Sequence, residues 1–231
     1  MTLAFPFRRL VARAPVASLL VAISFAFACQ QDEEQGGSLD NGSFVYACIS
    51  PADPQCPDNE IGAATTAFPT LALGGTFSLT YDSSNSTYPS ADVEPVSADY
   101  FLRQGETFTA IRSGNPSFVA ETPDGTTLDF TQVDVEPITT IHIADTTANA
   151  GDGAGVHTYS ATALGKLGQS LGGVVLYEWS SSDPAIMEIV PGQDTPSSSI
   201  NVRYRKGGTA KLVATSGDTT GSVDINANEG Q

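Results

Sequence analysis

"VVLYEWSSSDPAIMEIV", residues 174–190, decides how the chain folds. Val175, Tyr177 and Trp179 recur at every second position, the period of a strand that buries one face. Ser180 to Pro184 then breaks the run, and a short apolar stretch ending at Val190 follows. An indole in the middle of an alternating strand is suited to filling the space between two packed sheets. Trp179 is therefore read as structural core rather than as a ligand platform.

The same alternation extends in both directions. "GTFSLTY" (75–81) puts Phe77, Leu79 and Tyr81 on one face. "SINVRY" (199–204) aligns Ile200, Val202 and Tyr204, "TAKLVAT" (209–215) aligns Ala210, Leu212 and Ala214, and "GSVDINA" (221–227) aligns Val223, Ile225 and Ala227. Turn sequences lie between such runs: "DSSNS", "RSGNP", "TPDGT", "RKGG" and "SGDTTG". Many short strands punctuated this way predict an all-β chain of sandwich type. In "LDFTQVDV" (128–135) the phase breaks, since Leu128 and Phe130 fall on even positions and Val133 and Val135 on odd ones. A bulge or a change of sheet accounts for that.

A weak internal repeat divides the chain. "RSGNPSFVAETPDGTTLDF" and "RKGGTAKLVATSGDTTGSVDI" share a layout of turn glycine, alternating strand, tight turn and second strand, with Gly114 aligned to Gly208 and Ala120 to Ala214. "VDVEPIT", around Glu136 and Pro137, reads as the junction. The expected organisation is a signal peptide over 1–28, a flexible acidic tether over 29–43, a first immunoglobulin-like β-sandwich domain over 44–136 and a second over 137–228.

The second of these resembles a known family. "ALGKLGQSLGGVVLYEWSSSDPAIMEIV…GGTAKLVATSGDTTGSVDINA" is similar to a group-2 bacterial immunoglobulin-like domain, through Trp179, Ser180, Ser181, Ile189, Gly208, Thr209, Ala210 and Ala214. The glycine the family carries after the "IV" strand is displaced into a longer insert, "PGQDTPSSS" (191–199). The resemblance implies a β-sandwich used as a spacer or adhesive module at the cell surface. The first half fits less well, because it has no tryptophan strand.

The N-terminus reads as an export signal. Arg8, Arg9 and Arg13 precede an uncharged run from Ala14 to Ala28. As a helix that run would reach only about 22 Å, short of the roughly 30 Å bilayer core. Ala26-Phe27-Ala28 suits ordinary signal peptidase, while the Cys29 that follows resembles the lipidated cysteine of a bacterial lipobox. The chain holds three cysteines, Cys29, Cys48 and Cys56. Lipid on Cys29 would leave an even pair, as an oxidising compartment favours. The reading is a lipid-anchored protein of the outer membrane or cell surface, with a Cys48–Cys56 disulfide closing "CISPADPQC". A two-cysteine metal site is the alternative, but no histidine or third cysteine lies near it.

Charge excludes one class of partner. The chain carries 10 basic and 26 acidic residues, and three of the basic ones sit in the signal. Such a chain is repelled by nucleic acid, whose binding rests on neutralising phosphates. Apolar residues still make up 40% of the sequence, enough for a folded core.

Several motifs lead nowhere further. "GQSLG" (168–172) satisfies G-x-S-x-G, but His142 and His157 both precede Ser170, and the segment reads as a flexible hairpin connection, not a strand-to-helix elbow. "GDGAG" (151–155) has no following helix and no Lys-Ser/Thr. The two histidines lack partner ligands at zinc spacing. Asp124, Asp145, Asp152 and Asp218 are loop carboxylates of the kind calcium needs, without a D-x-D-x-D-G loop to gather them. No catalytic residue, metal or cofactor is assigned. The expected role is a non-enzymatic spacer, scaffold or adhesin whose partners are the membrane, through Cys29, and a surface protein or glycan. Contact would fall to the loops "NAGDGAGVH" (149–157) and "PGQDTPSSS". The alternative is an exported carbohydrate-binding accessory module or hydrolase component. A sugar-binding module would display aromatics on one strand face, for which Tyr81, Tyr88, Tyr100 and Phe101 are the candidates.

Overall fold

The computed structural model describes residues 41–56, 60–84, 86–147 and 156–227. These fall within one compact unit, residues 34–231, which contains two apolar cores. Cys29 and Asp152 lie outside the described residues.

The first core is enclosed by ten short strands: β1 (Gly42–Ala47), β2 (Ala64–Thr65), β3 (Leu71–Ala72), β4 (Thr76–Ser83), β5 (Asp92–Pro95), β6 (Phe101–Gln104), β7 (Thr107–Ala110), β8 (Ser117–Glu121), β9 (Thr127–Gln132) and β10 (Val135–Glu136). One sheet runs β2-β1-β4-β7-β6 and faces a second, β5-β8-β9, while β3 pairs in parallel with β10. The second core lies between β11 (Thr140–Asp145), β12 (Val156–Leu164), β13 (Glu178–Ser181), β14 (Met187–Ile189), β15 (Ser199–Tyr204), β16 (Gly208–Ser216) and β17 (Thr219–Ala227). Its sheets run β11-β12-β15-β14 and β13-β16-β17. The first, second, fifth and fourth strands thus oppose the third, sixth and seventh. That is the seven-strand immunoglobulin order, and β1-β4-β7-β6 against β5-β8-β9 repeats it. The described residues are all-β apart from a 3-10 turn at Ala98–Tyr100, and they form two immunoglobulin-like sandwiches.

Register explains why only one half shows a tryptophan strand. Trp179 of β13 lies opposite Ala214 of β16, and Val93 of β5 lies opposite Ala120 of β8. Val93 therefore occupies the place of Trp179. The first sandwich makes up the volume with Phe77, Phe101, Phe108 and Phe118, whose ring centroids are 4.7–6.4 Å apart. The repeat read from sequence falls on equivalent strands. Gly114 and Gly208 precede or open the sixth strand of each sandwich with φ of 136° and 146°, a region that favours glycine, and Ala120 and Ala214 are both fully buried.

The phase break in "LDFTQVDV" is a bulge. Ala120 faces Asp129 and Glu121 faces Thr127, so Leu128 is the extra residue. Leu128 and Asp129 both turn inward, and Phe130 is left 48% exposed. Tyr81 donates to the buried Asp129 carboxylate at 3.4 Å, and Asp129 accepts the Phe130 N–H at 2.8 Å. The Asn41 amide covers the Leu128 carbonyl at 2.9 Å. Side chains thus occupy edge groups of β9 that a further strand would need.

The insert "PGQDTPSSS" is not a free loop. Ser197 exchanges two backbone hydrogen bonds of 3.0 Å with Tyr177, and its carbonyl accepts the Trp179 indole N–H at 2.9 Å. Gln193 accepts from the Asn201 N–H at 2.7 Å and donates to the Asn201 and Val190 carbonyls. The insert satisfies the one polar group of the core indole and is thereby part of the sandwich.

Candidate functional site

A set of specific contacts outside the cores joins the two sandwiches. It begins with β1, whose alternation carries Tyr46 fully inward, stacked on Phe77 at 6.0 Å. The Tyr46 hydroxyl donates to Asp53 Oδ2 at 2.5 Å and accepts the Gly173 N–H of the second sandwich at 2.8 Å. Asp53 is 0% exposed, and its other oxygen accepts the Gln55 N–H at 3.0 Å. Cys48 and Cys56 are joined by a disulfide, with Cα atoms 5.4 Å apart, and the loop they close holds Asp53 in place. From the same loop the Gln55 amide donates to the Ser170 carbonyl at 2.8 Å.

Burial, and then the neighbouring Asp53 carboxylate, push the Tyr46 phenol well above its usual pKa. It therefore stays a donor to Asp53. A buried carboxylate is tolerable only when such donors surround it.

Backbone pairing continues the contact. Ala72 N–H donates to the Gly172 carbonyl at 2.9 Å and Gly172 N–H to the Thr70 carbonyl at 2.8 Å. Thr76 and Val174 exchange bonds of 3.0 and 2.7 Å. Glycine makes this approach feasible. A Cβ on Gly172 would stand 2.6 Å from Pro69 Cγ, and one on Gly75 would stand 2.9 Å from the Ala72 carbonyl oxygen. Gly173 has φ of 87°. Two clefts flank the junction. One, of about 640 Å³, lies between Pro51 and Pro54 of the disulfide loop and Ser160 and Thr162 of β12. The other, of about 480 Å³, is lined by Leu73, Ile111, Ile138 and Thr219.

The residues singled out from sequence are scattered around this junction. Ser170 contributes its carbonyl to Gln55, and "GKLGQSLGG" is a closed turn in which Gly165 N–H meets the Gln169 carbonyl at 2.9 Å. The segment after it is pinned by the ladder, which corrects its reading as a flexible connection. Among the described residues, no helix follows Ser170. His142 is exposed on β11 opposite Thr162. His157 Nδ1 lies 3.2 Å from Asp145 Oδ2, and its ring lies 4.4 Å from that of Tyr204. Partial burial works to raise the Asp145 carboxyl, but hydrogen bonds from Thr147 and His157 outweigh it and hold the group below its usual range. Among the described residues, no three His, Cys, Asp or Glu side chains are grouped to hold a metal. Tyr81 and Phe101 are buried, and Tyr88 and Tyr100 pack against the first core. Among the described residues, the exposed strand aromatic is Phe130.

Sequence reading missed the junction itself. Its signal was present in two Gly-Gly pairs, Gly74-Gly75 and Gly172-Gly173, in chain segments about 100 residues apart that become neighbours only when β3–β4 meets the loop before β13.

No family model matches the chain, and no curated protein is significantly similar to it. Solved structures do resemble it. Domains 5–6 of the S-layer protein SbsC match at 14% identity, over 71% of this chain and 94% of that one, with a TM-score of 0.31. The Yersinia pseudotuberculosis adhesin InvE matches at 16% identity, over 69% and 56%, with a TM-score of 0.32. A Parabacteroides merdae β-glucuronidase matches at 10% identity, over 69% of this chain and 24% of its own, with a TM-score of 0.31. At these scores the fold assignment rests on strand order and register.

Proposed function

We propose that this protein is a non-enzymatic cell-surface spacer, scaffold or adhesin, anchored by lipid on Cys29, and that its second sandwich is a group-2 bacterial immunoglobulin-like domain. The observation that carries the reading is the junction. Four backbone hydrogen bonds, the Tyr46–Asp53–Gly173 chain and the Gln55–Ser170 bond fix one sandwich against the other. A spacer must hold whatever it carries at a set distance, and a stiff joint between small domains does this where a free linker does not. The acidic stretch after Cys29 would act as the tether between membrane and first sandwich, with the boundaries 29–43, 44–136 and 137–228 given above.

Two measurements test this on cells that make the protein. Intact-mass analysis of the mature form should show a lipid adduct on Cys29, and protease added to intact cells should reach the sandwiches. A water-soluble mature chain with a bare Cys29 would remove the anchor, and protection from protease would remove the surface location. Ser170→Ala should leave any measured phenotype unchanged, since only the Ser170 carbonyl is engaged. Loss of a hydrolytic activity on that change would overturn the non-enzymatic reading.

A further inference from the structure

We propose that the outer face of β5-β8-β9 docks an extended basic peptide segment that presents an apolar side chain between its cations. Register defines the face. Val93, Phe118 and Ala120 point into the core, so Glu94, Val119 and Phe130, which lie directly opposite one another, point out. Val96 continues the outward row of β5, since its N–H bonds to the Ser117 carbonyl at 2.9 Å. Phe130 is 48% and Val96 64% exposed, with the half-buried Val119 between them. The bulge at Leu128 creates this arrangement. Without the extra residue Phe130 would share the inward phase of Leu128; with it, an aspartate is buried and a phenylalanine is put into water. Each is unfavourable alone, and re-aiming a side chain is a recurrent use of a bulge.

Charge selects the occupant. Asp92 and Glu121 lie opposite each other at one end of the apolar row and Glu94 lies within it opposite Val119, and β5, β8 and β9 carry no lysine or arginine. Arg103 of β6 reaches in and is paired with Glu94. A second copy of this acidic chain would be repelled, whereas lysine or arginine flanking an apolar side chain would match both features. Size narrows it further. Three strands about 4.8 Å apart, with outward residues roughly 7 Å apart along each, make a footprint of about 10 by 14 Å. That suits a segment of about five residues, not the roughly 800 Å² per partner of a globular interface. The side-chain capping of Leu128 and Phe130 described above closes this edge of β9, so the segment lies across the face and does not extend the sheet.

The inference concerns purified protein in solution and does not depend on the lipid anchor or on cell-surface location. The test is amide NMR titration of residues 41–231 with three heptapeptides: alternating Lys/Leu, alternating Glu/Leu and alternating Lys/Ser. The Lys/Leu peptide should shift resonances of 92–96, 117–121 and 127–132, and the other two should bind at least tenfold more weakly. Phe130→Thr, at an exposed strand position, should keep the wild-type melting temperature within a few degrees and weaken Lys/Leu binding tenfold or more. Glu94→Gln/Glu121→Gln should weaken it and reduce its salt dependence. Equal binding of the Lys/Ser peptide, shifts confined to other surfaces, an unaffected Phe130→Thr variant, or a neutral glycan perturbing this face when no peptide does would each overturn the proposal.

Discussion

Replacing Tyr46 with phenylalanine removes one oxygen atom and probes the junction. The ring remains, so its stacking on Phe77 is retained. Two bonds are lost. The first, to the Asp53 carboxylate, is charge-assisted and worth about 1.5–3 kcal/mol. The second leaves the Gly173 N–H without its acceptor in a buried place, at about 1–3 kcal/mol. Together the change should cost about 3–5 kcal/mol, and at roughly 2–4 °C per kcal/mol for a chain of this size the melting temperature should fall by on the order of 10 °C. Trp179 is the only tryptophan and lies in the second sandwich, whereas Tyr46 lies in the first. Tryptophan fluorescence therefore reports on the second sandwich, and far-UV circular dichroism on both. If the junction couples them, both signals should shift together. A melting temperature within 2 °C of wild type, or a Trp179 transition that stays in place while the dichroism moves, would refute the reasoning.

Further outcomes follow from packing and titration. A Cβ on Gly221 would stand 2.3 Å from the Ile141 carbonyl oxygen, where β11 crosses β17; Gly221→Ala should cost about 2–3 kcal/mol in urea unfolding, while Ser222→Ala beside it should stay within about 0.5 kcal/mol. Burial and then Asp129 push Tyr81 up to about 12, and burial raises Tyr46, Tyr159 and Tyr177 as well. Folded pKa values above the ordinary value of 10 mean that this stability is complete below pH 10 and lost as pH rises through the folded values. Phenolate absorbance from these residues should therefore appear together with loss of the β signal, and titration near pH 10 with the fold intact would contradict that.

Much of the fold could be read from the sequence because each sandwich buries one face of each strand. Alternation at Phe77, Leu79 and Tyr81, or at Ala210, Leu212 and Ala214, is the direct imprint of that geometry. Phe130 was harder, because a bulge moves one residue between faces without altering composition; the phase break marked the place but not which side chains turned inward. The insert after Val190 looked like a loop because its work is done by backbone groups of Ser197 and by Gln193, which carry no periodic signal. The junction was hidden for a different reason. It pairs segments near 70–76 and 170–174, and a glycine needed for close approach looks the same in sequence as one needed for a turn.

The central claim is that the two sandwiches are held as one stiff body. Residual dipolar couplings of backbone amides in the described residues of 42–136 and 140–227 test it directly. The account predicts that both sets fit a single alignment tensor of the same magnitude and orientation. Separate tensors, with the second sandwich reorienting independently of the first, would contradict it.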